Sequence, residues 1–210
     1  MIVERLVVGM LQTNCYIVGD PETRQAAIID PGGDADRILA RVQTLKLEPV
    51  AVLLTHGHFD HVLDAWTVKE RTGSRVFLNR KDEPLLTDSK VGLGALFGSM
   101  IRTAKGEVDH PLEEGDRITF GSIVLEVLET PGHTPGHVSF LAADTNIVFV
   151  GDTLFAGSIG RTDFPGGSHP QLIRSVQEKI FPLPGQTLVC PGHGPETTVE
   201  QERRTNPFFR

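Results

Sequence analysis

The sequence predicts an α/β fold of the α+β kind, in which two β-sheets pack face to face with helices outside. Three observations lead there. Short apolar runs of strand character recur in both halves of the chain, helical patterns flank them in each half, and no linker or low-complexity segment divides the 210 residues. Residues 1–210 are therefore read as one domain, a length that one core can serve.

The elements follow in order. Ile2–Gly9, Asn14–Val18 and Ala26–Asp30 read as strands, with turns at Asp20-Pro21-Glu22 and Pro31-Gly32-Gly33. Asp34 is placed to cap a helix to about Leu45, with Ile38, Leu39, Val42 and Leu45 on one face. Pro49 is expected to end that unit, and Val50–Leu54 reads as a buried strand. His61–Arg71 predicts a helix closed by Thr72-Gly73, and Val76–Leu78 a strand. Further on, Arg117–Phe120, Ile123–Glu129, His137–Leu141 and Ile147–Val150 read as strands, Gln171–Ile180 as a helix and Thr187–Cys190 as a last strand. Between the halves, about Lys81 to Asp109, lies a polar stretch with Gly92, Gly94 and Gly98 among apolar Leu93, Leu96, Phe97 and Met100. It reads as surface helix and loop, with a substrate-side segment or subunit contact as the alternative.

Composition narrows the function classes. The net charge is −7 and no basic run occurs, so nucleic acid is not an expected partner. No apolar stretch is long enough to span a bilayer, so no membrane partner is expected. Met1–Leu6 lacks the basic and apolar regions of an export signal and reads as strand. The two cysteines, Cys15 and Cys190, suggest no disulfide framework; each reads as a small buried hydrophobe, and the expected location is cytoplasmic.

Chemistry concentrates in Thr55-His56-Gly57-His58-Phe59-Asp60-His61, directly after the Val50–Leu54 strand. Imidazole nitrogens and carboxylate oxygens suit a borderline divalent metal such as zinc. Three more ligand-type residues share that setting. His133 follows a strand in Thr130-Pro131-Gly132-His133, Asp152 follows one in Gly151-Asp152, and His193 follows one in Pro191-Gly192-His193-Gly194. Each sits just past a strand end in a Gly-bearing turn, where the backbone bends sharply. Strands of shared direction would bring these loops to one edge. A two-metal centre uses roughly eight to ten ligand positions, some filled by water. Taken alone, each of these residues would read as an ordinary turn or cap residue; together they read as a metal site open to water. His110 and His169, each before a proline, read as ordinary loop and helix-start residues, and His137 as an ordinary residue opening a strand near the site, with a role supporting the ligands as the alternative.

These motifs, in this order, resemble the metallo-β-lactamase fold superfamily across nearly the whole chain. The resemblance implies a four-layer αββα sandwich with a dinuclear centre at one edge. It implies that His56, His58 and His133 bind one metal, that Asp60, His61 and His193 bind the other, and that Asp152 bridges them. The expected ions are two divalent cations, zinc first, with iron or manganese as alternatives. Class B β-lactamases usually carry other residues at the positions of His61 and Asp152, so β-lactam hydrolysis is not expected.

Within the superfamily, Asp30-Pro31-Gly32-Gly33, Pro131-Gly132-His133-Thr134-Pro135-Gly136-His137, Gly151-Asp152-Thr153-Leu154-Phe155 and Asn206-Pro207-Phe208 resemble the short bacterial form of the glyoxalase II (hydroxyacylglutathione hydrolase) group. That resemblance implies a metal-dependent hydrolase acting on a small thioester such as S-D-lactoylglutathione, with a hydroxide shared by the two metals attacking the carbonyl. A thiolate leaves readily because its pKa is about 8.5. The long form's Lys and Tyr that contact glutathione are replaced by Gly160-Arg161-Thr162-Asp163, so Arg161 is the candidate substrate-binding cation. A second reading comes from Gly160–Phe164 and Ser175–Phe181, which also resemble the superfamily's persulfide dioxygenases. It implies one iron held by His56, His133 and Asp152, with open positions for oxygen and substrate. The stretch Pro191-Gly192-His193-Gly194-Pro195 resembles the hydrolases and favours the first reading.

Overall fold

The computed structural model describes residues 1–87 and 106–210. Its layers follow from strand alternation, which sends successive side chains to opposite faces. The first sheet is β1 (Ile2–Val8), β2 (Thr13–Gly19), β3 (Gln25–Ile29), β4 (Glu48–Leu53), β5 (Arg75–Leu78) and β6 (His110–Pro111), in that spatial order. Helices α1 (Ala35–Thr44), α2 (Phe59–Val62) and α3 (Ala65–Thr72) belong to this half, and a 3₁₀ turn, Arg80–Asp82, leads into α4 (Glu83–Thr87). The second half contributes β7 (Arg117–Phe120), β8 (Ile123–Glu129), β9 (Val138–Ala142), β10 (Ile147–Gly151), the hairpin β11 (Leu154–Phe155) and β12 (Ser158–Ile159), α5 (His169–Ser175), β13 (Leu188–Pro191), β14 (Thr197–Thr198) and α6 (Val199–Thr205). Its sheet runs in the order β14-β13-β10-β9-β8-β7.

Three apolar clusters mark the three interfaces of a four-layer αββα sandwich. Cys15, Ile17, Ala26, Ile28, Val52 and Leu54 face Ile38, Leu39 and Val42 of α1 and Trp66 and Val68 of α3. Their strand neighbours Tyr16, Val18, Ala27, Ile29, Ala51 and Leu53 face the other way, onto Phe120, Val127, Phe140, Phe149 and Cys190. Val148, Val150 and Val189 then meet Leu172, Val176, Ile180 and Val199. The central strands are buried on both faces, which is why Val50–Leu54 is apolar without alternation. Both cysteines are free and buried, as expected.

Strand directions align the loops. β9 is antiparallel to both β8 and β10, and β13 is parallel to β10, so β8, β10 and β13 end at the same edge. The N–H of Val138 donates to Thr55 O at 2.8 Å, which joins the β4 loop to that edge.

Five expectations are corrected. Pro49 lies inside β4 rather than ending the preceding unit; the β3–β4 pairing jumps from Ala26–Pro49 to Ala27–Ala51, and this bulge accommodates a residue that cannot donate. Asp34 does not cap α1, because its backbone is left-handed and its carboxylate accepts from Gly9 N instead; Asp64 Oδ2 accepts from Ala35 N at 2.9 Å in its place. The helix expected over His61–Arg71 is broken into α2 and α3, because the Asp64 N–H donates to Pro31 O at 3.0 Å. His110 is in a short strand paired with Phe77, not in a loop. The helix expected over Gln171–Ile180 begins at His169 and finishes as a π-helical turn over Val176–Ile180. The expectation for Gly92, Leu93, Gly94, Leu96, Phe97, Gly98 and Met100 lies outside the described residues.

Candidate metal centre

All seven predicted ligands converge at one edge of the sandwich. His56 and His58 come from the loop after β4, Asp60 and His61 from α2, His133 from the loop after β8, Asp152 from the end of β10, and His193 from the loop after β13. Their donor atoms form three overlapping groups, each within 4.8 Å: His56, His58 and His133; Asp60, His61 and His193; and His56, His61 and Asp152. The third group takes one histidine from each of the others. Asp152 therefore sits between two triads, with Oδ1 3.4 Å from His61 Nε2 and Oδ2 3.6 Å from His133 Nε2. Within the triads, His58 Nδ1 is 2.8 Å from His133 Nε2, and His193 Nε2 is 3.3 Å from His61 Nε2 and 3.2 Å from Asp60 Oδ2.

The arrangement fits cations. Among the described residues, His56 Nε2 and Asp152 Oδ1 are buried with no hydrogen-bond partner, and both belong to the cluster. Buried polar atoms are normally paired, so two unpaired atoms in one small space indicate an absent positive partner. The tautomers agree. His133 Nδ1 donates to Arg161 O at 2.7 Å and His61 Nδ1 to Asp30 Oδ2 at 2.9 Å, which leaves each Nε2 as a lone pair facing inward. Charge is distributed unevenly. Burial first, then the neighbouring imidazoles, holds His56 and His58 well below the ordinary histidine range, so these two rings are neutral. Burial alone would also depress His61, but the Asp152, Asp60 and Asp30 carboxylates outweigh it and raise its pKa. Burial alone would raise Asp60, yet His61 and His193 hold it low. The second triad thus already balances negative oxygens against positive charge, a balance that a divalent cation satisfies without a proton.

Residues with no site role in the sequence reading hold this geometry. Asp30 accepts from Thr55 N, Thr55 Oγ1 and His61 Nδ1 at 2.8, 2.7 and 2.9 Å. It also lies just past an apolar strand in a Gly-bearing turn, so the signal that found the ligands applied to it as well. Asn14 Nδ2 donates to Pro191 O and Gly194 O, both at 2.9 Å, and Tyr16 Oη to Pro191 O at 2.8 Å, which pins the His193 loop. Nothing in the sequence pointed to either. His137, read first as an ordinary strand-start residue, takes up the alternative role behind the centre: its Nε2 accepts from Asp152 N at 3.1 Å, and its ring stacks on His56.

Arg161 lies at the rim. Its carbonyl holds His133, while its guanidinium forms a two-pronged pair with Asp163 at 2.9 and 2.8 Å and stacks on Phe164. The Phe164 ring in turn lies 5.8 Å from His58, and the Phe155 ring lies 6.2 Å from His193. His193, with 27% of its side chain exposed, is the most open of these ligands and marks the entrance.

The family model of the metallo-beta-lactamase superfamily matches residues 8–193. The chain belongs to that superfamily. Membership carries the general activity of a metal-dependent hydrolase, and the fold together with this His/Asp cluster suggests a dinuclear centre. Among relatives within the superfamily, the Haemophilus influenzae protein called hydroxyacylglutathione hydrolase GloC is 39% identical over 100% of this chain and 98% of its own length. The Bacillus subtilis protein called probable metallo-hydrolase YqgX is 42% identical over 98% and 96%. Among solved structures, the BLEG-1 B3 metallo-beta-lactamase superposes with a TM-score of 0.94 at 38% identity, covering 99% of both chains. The di-iron-bound form of TTHA1623 gives 0.86 at 42%, covering 98% of this chain and 99% of that one. ETHE1 from Myxococcus xanthus gives 0.81 at 34%, covering 99% and 84%. No helix among the described residues of this superfamily member is long and apolar enough to cross a membrane.

Proposed function

We propose that the chain is a two-metal hydrolase of a small thioester such as S-D-lactoylglutathione, acting in the cytoplasm. His56, His58 and His133 hold one divalent cation, Asp60, His61 and His193 hold the other, and Asp152 lies between them. Zinc is the first candidate, with iron or manganese as alternatives. The observation that carries this reading is Asp152, whose carboxylate lies 3.4–3.7 Å from His133 of one triad and from His61 and His193 of the other while Oδ1 has no hydrogen-bond partner among the described residues. Cations held by these residues would lower the pKa of bound water and polarise a carbonyl. The chain's own residues do the rest. Asp30 and the Arg161 carbonyl keep the His61 and His133 lone pairs inward. Phe155 and Phe164 flank the entrance and limit water around an entering substrate. Arg161 at the rim is the proposed contact for an anionic thiol carrier. The 39% identity to the GloC protein supports the thioester assignment.

A second reading, a single-iron persulfide dioxygenase using His56, His133 and Asp152, is compatible with the likeness to ETHE1. Metal analysis of protein purified without added metal, paired with thioester, β-lactam and persulfide oxygen-uptake assays, separates the readings. About two equivalents of metal and thioester cleavage are expected, and His61→Ala and His193→Ala should each lose about one equivalent and most turnover. One tightly held iron, with oxygen uptake surviving in both variants, would overturn the hydrolase. Faster β-lactam than thioester turnover would overturn the substrate.

A further inference from the structure

Asp82 has no role in the sequence reading, yet it is a carboxylate with no exposed surface, placed between the two loops that supply the His56, His58 and His133 nitrogens. Its Oδ2 accepts from Gly57 N at 2.9 Å, the peptide between ligands His56 and His58, and from Thr134 Oγ1 at 2.6 Å, next to ligand His133. Its Oδ1 accepts from Gly136 N at 2.6 Å. A single side chain thus joins the His-Gly-His loop to the Pro-Gly-His loop from behind. The approach is close enough to dictate sequence. A Cβ at Gly57 would lie 2.6 Å from the Asp82 carbonyl oxygen, and one at Gly136 would lie 2.7 Å from both Asp82 N and Oδ1. Backbone and a buried carboxylate cannot yield that space, so glycine at both positions follows from the position of Asp82.

We propose that Asp82 is the positioning residue of the His56–His58–His133 metal site, setting the separation of the two loops and hence the bite of that triad. The proposal rests on the two-cation reading above. The physical argument is one of preorganisation. His58 Nδ1 and His133 Nε2 lie 2.8 Å apart on loops joined at this level by a buried carboxylate with three donors. Such a node is costly to distort, because a displaced loop leaves a buried charge or N–H without a partner. The second triad has a restraint of its own in Asn14 on the His193 loop, and Asp30 holds both His61 and, through Thr55, His56; neither bonds to Asp82. Loss of Asp82 should therefore loosen the first site and act on the second far less.

The test is zinc competition against a chromophoric chelator, with the wild type, Asp82→Ala and Thr134→Val, together with the absorption spectrum of the cobalt-substituted forms. Groups that orient metal ligands typically contribute about 10–100-fold in affinity. Asp82→Ala should weaken one of the two equivalents by that factor and leave the other near its wild-type value, with the cobalt spectrum of one site altered. Thr134→Val keeps the carboxylate and both backbone bonds; it should weaken the same equivalent by a smaller factor, and it carries the test should Asp82→Ala not fold. Unchanged affinity for both equivalents in either folded variant would overturn the proposal, as would equal weakening of both. A wild type that binds fewer than two equivalents would instead remove the two-cation reading, so the two failures are distinguishable.

Discussion

Replacing Asp30 by Asn is predicted to disable the second triad without touching any of its ligands. Asp30 Oδ1 accepts from Thr55 N, and Oδ2 accepts from both Thr55 Oγ1 and His61 Nδ1. Asparagine offers one acceptor oxygen and one NH₂ group. If the NH₂ takes the Oδ1 place, it meets the Thr55 N–H, donor against donor, in a fully buried position. If it takes the Oδ2 place, the Thr55 hydroxyl can turn to accept, but His61 must also accept at Nδ1. Its proton then moves to Nε2, the atom aimed at His193 and Asp152. The second arrangement pairs every buried donor once the Thr55 hydroxyl turns its proton to His56 Nδ1, 3.0 Å away, so it should prevail, and it blocks the His61 lone pair and, by the same proton shift, that of His56. The expected loss at this site is 10–100-fold in affinity, or about 1.4–2.8 kcal/mol. The unpaired-donor alternative would instead cost about 1–3 kcal/mol of stability. Chelator competition reads the first quantity and urea unfolding of the metal-free protein the second. Wild-type affinity at both equivalents with unchanged stability would refute the reasoning, because neither cost would then have been incurred.

Two further predictions concern the rim and the sheet edges. Arg161→Ala should raise KM for the best thioester more than it lowers kcat, because a rim contact is similar in ground and transition states; an unchanged KM would remove its guanidinium from substrate binding, leaving only the Asp163 pair and the Phe164 stack. Asp20 ties the β2–β3 turn to the β7–β8 turn of the other sheet, and its carboxylate, accepting from Ser122 N and Glu22 N at 2.5 and 2.8 Å, is held below the ordinary carboxylate range by those bonds. A depressed folded-state pKa stabilises above the unfolded value and ceases to do so as pH falls through the folded one. The stability gap between wild type and Asp20→Asn should therefore be full at neutral pH and close as pH drops below about 4; a gap of constant size from pH 7 to 3 would contradict this.

The candidate ligand cluster was legible along the chain because its residues follow apolar strands in Gly-bearing turns, and that is local information. The layering was legible for a similar reason: Val50–Leu54 and Ile147–Val150 are apolar on both faces, and only a strand between two layers needs that. Helix boundaries were less so. Asp34 looks like a cap by composition, but the donor it would have satisfied, Ala35 N, is taken by Asp64, 29 residues away. Pro49 looks like a terminator, but β3 supplies a bulge that accommodates it. Asp82, Asn14 and Tyr16 carry no pattern at all; each is one polar residue whose partners lie on other loops, at separations of 25 to 180 residues. Metal ligands declare themselves in sequence because strand ends repeat a local geometry. The groups that hold those ligands in place are chosen by which loops the sandwich brings together, so only tertiary packing identifies them.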